Sequence, residues 1–209
     1  MRQQKDQTKP PLLMLAAALA ALAALSPLPT LAQTEASQYT SVYTKIDLDQ
    51  CTPITNAQLG LPESGEEEMG TDGGRWACLG YNNELVYVAE GDLRMFVSFG
   101  AGALQEPAAS QTLPQFNTIG ETLEWRLVYK DEQWVPFATI LRWKTQVGDG
   151  SEPDGEMLIV TKLEAGNVCH VAHVDARKTP NANEVARQFA DTQAAGFTCS
   201  SDKIFYVPE

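Results

Sequence analysis

Two histidines, His170 and His173, stand three residues apart in His-Val-Ala-His, and they are the only imidazoles in the 209-residue chain. Imidazole is the side chain best suited to general-base work near neutral pH and to metal ligation. On a strand successive side chains alternate, so this spacing predicts rings on opposite faces that do not share a metal. His173 falls on the face of Cys169 and Val171. A hydrogen-bonded structural residue is its expected role, with a general base as the rival. No Gly-x-Ser-x-Gly elbow occurs, so a Ser-His-Asp triad has no foundation.

Carboxylates offer the other chemistry. Glu90, Asp92 and Arg94 cluster in one short stretch, and Glu121, Glu124 and Arg126 repeat the composition. A carboxylate pair held at the right separation would serve glycoside hydrolysis. Acidic residues are abundant, however, and ordinary surface ion pairs are the expectation. Glu90, Asp92, Arg94 and His173 are therefore retained as a candidate surface site, with no catalytic and no metal residue assigned. The run Glu66-Glu67-Glu68 lies in a polar loop and lacks the alternation of calcium ligands. Residues 147–156 (VGDGSEPDGE) depart from the EF-hand pattern and read as an acidic hairpin tip. Four tryptophans, at 76, 125, 134 and 143, offer a sugar or peptide platform, against which stands core packing.

The elements that must position these residues are mostly strands. Alternation predicts strands over 39–48, 74–79, 85–89, 93–99, 123–129, 135–144, 157–163 and 167–175, with a last edge strand at 203–207. Gly91-Asp92 reads as a two-residue hairpin turn with glycine first, leaving Leu93, Met95, Val97 and Phe99 on one apolar face. Residues 100–118 form a long connection in which Pro107 and Pro114 bar a long helix. One helix is expected after Pro180. Asn181 and Glu184 have capping-box spacing, and Ala182, Val185, Ala186, Phe189 and Ala190 recur on one side. Arg187 and Asp191 are placed to pair across a turn, and Gly196 suits a left-handed cap.

The expected fold class is α+β: a meandering, mostly antiparallel sheet, curled into a partial barrel, with one C-terminal amphipathic helix over a face. Residues 33–209 suffice for one domain.

Residues 1–32 resemble a secretory signal. A basic start precedes the apolar run 12–25, and small residues end at Ala32. The apolar run is short for a membrane span, so no stable membrane insertion is expected after cleavage. Cys51, Cys78, Cys169 and Cys199 then all fall in the exported part, and an even count there reads as disulfides. Three connectivities exist. Cys51–Cys78 and Cys169–Cys199 are favoured because each closes a moderate loop. No Cys-x-x-Cys is present, and neither a metal nor another cofactor is expected. The formal charge is −12, and residues 1–32 carry Arg2, Lys5 and Lys9 against Asp6, so their removal leaves −14. That sign argues against nucleic acid and anionic membranes and permits a basic protein or envelope component as partner.

The fragments YTSVYTKIDLDQC, GRWACLGY, EGDLRMFVSFG, FNTIGETLEWRL, PFATILRWK and NANEVARQFAD together resemble a group of uncharacterised exported proteins of alphaproteobacteria. The resemblance spans the mature chain and implies a Gram-negative periplasmic setting. It carries over no activity and no catalytic residue. In size, acidity, export and disulfide-tied β structure the chain is also similar to periplasmic lysozyme inhibitors, without a matching motif. Three readings follow: a non-catalytic binding or envelope-support module, an inhibitor of a basic cell-wall hydrolase, and an envelope hydrolase using Glu90 or Asp92.

Overall fold

The computed structural model describes residues 38–60, 73–146 and 155–208. The expected signal segment, most of the loop at 56–74 and the tip at 147–154 lie outside the described residues.

Among the described residues, ten strands form two sheets. A six-stranded sheet has the order β1-β6-β7-β8-β9-β10, and a four-stranded sheet the order β2-β3-β4-β5. The first contains β1 (Tyr39–Lys45), β6 (Asn117–Lys130), β7 (Gln133–Thr145), β8 (Gly155–Lys162), β9 (Cys169–Asp175) and β10 (Phe205–Val207). The second contains β2 (Thr52–Pro53), β3 (Gly73–Leu79), β4 (Leu85–Gly91) and β5 (Arg94–Phe99). All neighbours are antiparallel except β9 and β10, which run parallel. The α+β class with a single C-terminal helix is as expected. The partial barrel is not: β1 and β10 remain separate edges, and the second sheet covers the face that closure would have covered.

Alternation builds two cores. Leu123, Trp125 and Leu127 of β6, Leu141 and Trp143 of β7 and Ile159 of β8 meet Val86, Val88, Met95, Val97 and Phe99 of the smaller sheet. The opposite face of the larger sheet offers Ala138, Ile140, Leu158, Val160 and Ala172 to α1 (Ala182–Gln193). Ala182, Ala186, Ala190 and Ala194 line the helix stripe, so the helix lies close to the sheet. Gly80 makes a comparable close approach in the first core. A Cβ there would stand 2.2 Å from the Trp125 ring.

Local expectations fail at three points. Asn181 has φ 54°, a left-handed backbone rather than the extended one a capping residue needs, and its side chain makes no cap. Asp175 instead accepts the N–H groups of Arg177 and Lys178 in the turn before the helix. Gly196 is not left-handed; it closes a 3-10 turn, Ala194–Gly196, that continues α1. The β4–β5 turn is Asp92-Leu93, both at positive φ, because Gly91 pairs with Arg94. The register is held from outside the hairpin. The Asn117 N–H donates to the Leu93 carbonyl, and Arg94 Nε donates to the Pro114 carbonyl. Leu93 therefore leaves the apolar face and is exposed.

Both favoured disulfides are present, Cys51–Cys78 and Cys169–Cys199, spanning 27 and 30 residues. The second joins the start of β9 to the segment after α1, so it fixes the helix return.

Candidate functional site

Strand β6 alternates Leu123, Trp125 and Leu127 toward the first core with Glu124 and Arg126 toward the helix. On α1, Arg187 and Asp191 lie one turn apart. The expected pair between them does not form. Each reaches across to the sheet instead. Arg126 forks onto Asp191, with Nε to Oδ1 at 3.0 Å and Nη2 to Oδ2 at 2.5 Å. Arg187 forks onto Glu124, with Nε to Oε1 at 2.7 Å and Nη2 to Oε2 at 3.2 Å. Ser41 of β1 links the two pairs: its hydroxyl donates to Glu124 Oε1 at 2.5 Å and accepts from Arg126 Nη1 at 2.7 Å. Donation of hydrogen bonds to Glu124 raises the Arg187 pKa further, against burial, so its charge is permanent.

Beside this network a groove of about 670 Å³ runs between helix and sheet. Tyr43, Glu121, Glu124, Arg142, Lys144 and Arg187 supply its polar lining. Arg142 is held by Glu156 at 2.6 Å and by Asn183 at 3.1 Å. Lys144 and Thr118 also border a second cavity of about 210 Å³, with Glu90, Leu93 and Phe116. The two share Thr118 and Lys144 as a border, the second reaching Leu93 of the β4–β5 hairpin, and are taken together as a track. Among the described residues, Lys144 has no ion-pair partner.

Of the residues singled out from sequence, Glu90 borders the track. Arg94 pairs with Asp92 and lies over the Phe116 ring, 5.0 Å from its centroid. Glu124 and Arg126 stay in one network through Ser41, whereas Glu121 separates from them. Glu121 pairs with Lys45 at 3.8 Å in solvent, since residues 120–122 bulge opposite the single residue Arg142. Trp125 and Trp143 are core residues, whereas Trp134 is part-exposed against Tyr129 at a centroid distance of 5.2 Å.

His173 is 2% exposed and so belongs to no surface site. The expectation that the histidines face opposite ways is also overturned. The β8–β9 register shifts between Val160 and Thr161, so Ala172 pairs with Val160 while His170 pairs with Thr161. Val171 is the extra residue. A bulge of one residue resets alternation and brings both rings to the inner face. His170 Nδ1 and His173 Nε2 are 3.0 Å apart. Trp143 and Tyr206 close the ends, each with its ring edge-on to an imidazole. The outer nitrogens, His170 Nε2 and His173 Nδ1, are buried without partners among the described residues. Burial lowers the His170 pKa well below the usual value, with the neighbouring ring adding to it, and lowers that of His173 to about 4. The pair is a neutral core dyad at pH 7.

Comparison with protein-family models, curated proteins and solved structures finds no match.

Geometry alone then defines the chemistry. Among the described residues no three His, Cys, Asp or Glu side chains converge as a metal ligand set. Arginine–carboxylate crossing was the feature missed from sequence. Its signal was present in the shared strand face of Glu124 and Arg126 and the shared helix side of Arg187 and Asp191.

Proposed function

We propose that this chain is an exported, non-catalytic binding module of the Gram-negative periplasm, and that the helix-side track is its contact surface for an envelope component or a basic protein. Export is supported by the basic, apolar and small-residue order of segment 1–32 and is compatible with the two disulfides. No helix among the described residues is long and apolar enough to cross a membrane.

One observation favours binding over catalysis at the ion-paired wall of the groove. Both oxygens of Glu124 and both of Asp191 are occupied by arginine donors, with Ser41 adding a third bond to Glu124. A carboxylate so saturated has little capacity left to move a proton or attack a carbon. The same bonds hold the groove wall in one geometry, which suits recognition because little order is lost on binding. Lys144, Tyr43, Thr118 and Phe116 remain as contact groups.

The test is retention of periplasmic proteins and peptidoglycan fragments on the immobilised, processed chain, eluted by salt. One component released at moderate salt is the expected result, with its retention lost in Lys144→Glu if it is an anionic envelope component and strengthened if it is a basic protein. Equal retention by that variant would remove the track from the proposal. Peptidoglycan turnover by the purified chain, abolished by Glu90→Gln with Asp92→Asn or by Glu124→Gln, would overturn the non-catalytic reading. A retained lysozyme-type hydrolase would specify the module as an inhibitor.

A further inference from the structure

On another part of the molecule, a cavity of about 500 Å³ opens beside the loop that follows β5. Phe99, Val135, Pro136, Leu163 and Val168 make its walls apolar. Its floor is Gly100-Ala101-Gly102. Gly100 has φ +88°, a conformation that favours glycine, and its N–H donates to the Leu85 carbonyl at 2.9 Å. A Cβ on Gly100 would stand 3.3 Å from Glu84 Oε1, and one on Gly102 would stand 3.6 Å from Glu106 Oε1. The two bare glycines thus lie against two carboxylates.

Among the described residues, neither Glu84 nor Glu106 has a cationic partner. Glu106 is 7% exposed and accepts only backbone bonds, from the Gly166 N–H at 2.6 Å and the Val168 N–H at 3.0 Å. Glu84 has neither an ion pair nor a side-chain hydrogen bond among the described residues. A third carboxylate, Glu164, already holds Lys162 at 2.7 Å, and that ammonium also donates to the Phe197 carbonyl. Three carboxylates therefore border an apolar hollow, and only Glu164 among them is paired with a cation, Lys162. A half-buried charge without a counter-ion is unfavourable, and the group that relieves it is a cation.

We infer that this cavity binds a primary alkylammonium, its charge between Glu84 and Glu106 and its carbon stem against Phe99, Val135, Pro136 and Leu163. A bare metal ion is disfavoured on two grounds. Most of the wall is carbon, and among the described residues no three acidic or imidazole groups converge. An anion meets three carboxylates. A neutral apolar molecule leaves Glu84 and Glu106 as they are. The alkylammonium has two sources, a free amine or a lysine side chain presented by a protein, and both offer the same recognised group. The cavity shares no lining residue with the helix-side track, so failure of one assignment leaves the other intact.

The test follows the amide signals of Gly100, Ala101, Gly102, Gly166 and Val168 in the isotope-labelled, processed chain by NMR. The probes are n-butylammonium chloride and the blocked peptide acetyl-Leu-Lys-Leu-amide, with n-butanol, sodium butyrate and calcium chloride as controls. The expected result is a saturable shift with butylammonium, the peptide or both, weakened about ten-fold or more in Glu84→Gln. Response to the peptide alone assigns a lysine of a protein partner, and response to butylammonium alone assigns a free amine. Glu84→Gln removes no bond within the fold, so its thermal unfolding is expected to match the parent. Equal binding of butanol, saturation by calcium, unchanged affinity in the variant, or no response to either amine probe overturns the inference.

Discussion

The two faces of the six-stranded sheet solve burial in opposite ways. The inner face packs bulky side chains, Trp125, Trp143, Leu123 and Ile159, against a second sheet. Its buried polar groups go largely unanswered: Thr139 Oγ1, Trp143 Nε1 and one nitrogen on each histidine have no partner among the described residues. The helix face does the reverse. Alanines bring α1 close, and the charged groups beneath it, Glu124 and Arg126, are matched bond for bond by Arg187 and Asp191. Hydrophobic burial scales with area and tolerates shape change poorly, whereas a buried ion pair contributes through completeness. One face therefore supplies most of the stability and the other fixes where the helix and its groove sit.

Breaking the inner face has the largest expected effect. Trp143→Ala is expected to cost about 4 kcal/mol, read as a lower urea midpoint with an unchanged slope. A loss below about 1 kcal/mol would show that the inner face is loosely packed.

Acid tests the same face through the histidines. Their folded pKa values lie below the unfolded value, so the unfolded chain binds more protons over the interval. Stability is complete above about pH 6.5 and falls as pH drops toward 4, by roughly 3 kcal/mol for His173 alone. Denaturation at pH 7 and 4.5 is expected to show this drop, and His170→Phe with His173→Phe is expected to flatten it. Equal slopes in parent and double variant would refute the neutral dyad.

On the helix face, Arg126→Ala leaves Asp191 without its arginine and is expected to cost about 3 kcal/mol. Arg126→Met with Asp191→Leu is expected to regain most of that, because both charges are gone. A double variant as unstable as the sum of its parts would contradict the completeness argument. The smallest effect belongs to the rim. Glu184 pairs with Arg187 in solvent at 3.2 Å, and Glu184→Gln is expected to change stability by about 0.3 kcal/mol or less. A larger change in the unfolding midpoint would show that the rim supports the groove.

What sequence alone determined was local. β-Branched alternation placed nine strands, helical periodicity placed α1 and its alanine stripe, and moderate loop lengths indicated the disulfides Cys51–Cys78 and Cys169–Cys199. These depend on neighbours along the chain, where side-chain direction follows from backbone period. The two-residue β2 has too few residues to show a period.

Tertiary structure decided the rest, because each remaining feature depends on a distant partner. The division into two sheets follows from which strands pair, and β1 pairs with β6, not with its neighbour in sequence. Contacts from residues 114–117 moved the β4–β5 turn by one residue. Arg187 and Asp191, adjacent on the helix, are drawn apart by Glu124 and Arg126 beneath them. The bulge at Val171 depends on the register against β8, and that single extra residue turned two opposed histidines into a buried pair. Alternation along one strand holds no information about the register of its partner, and register decides which side chains meet.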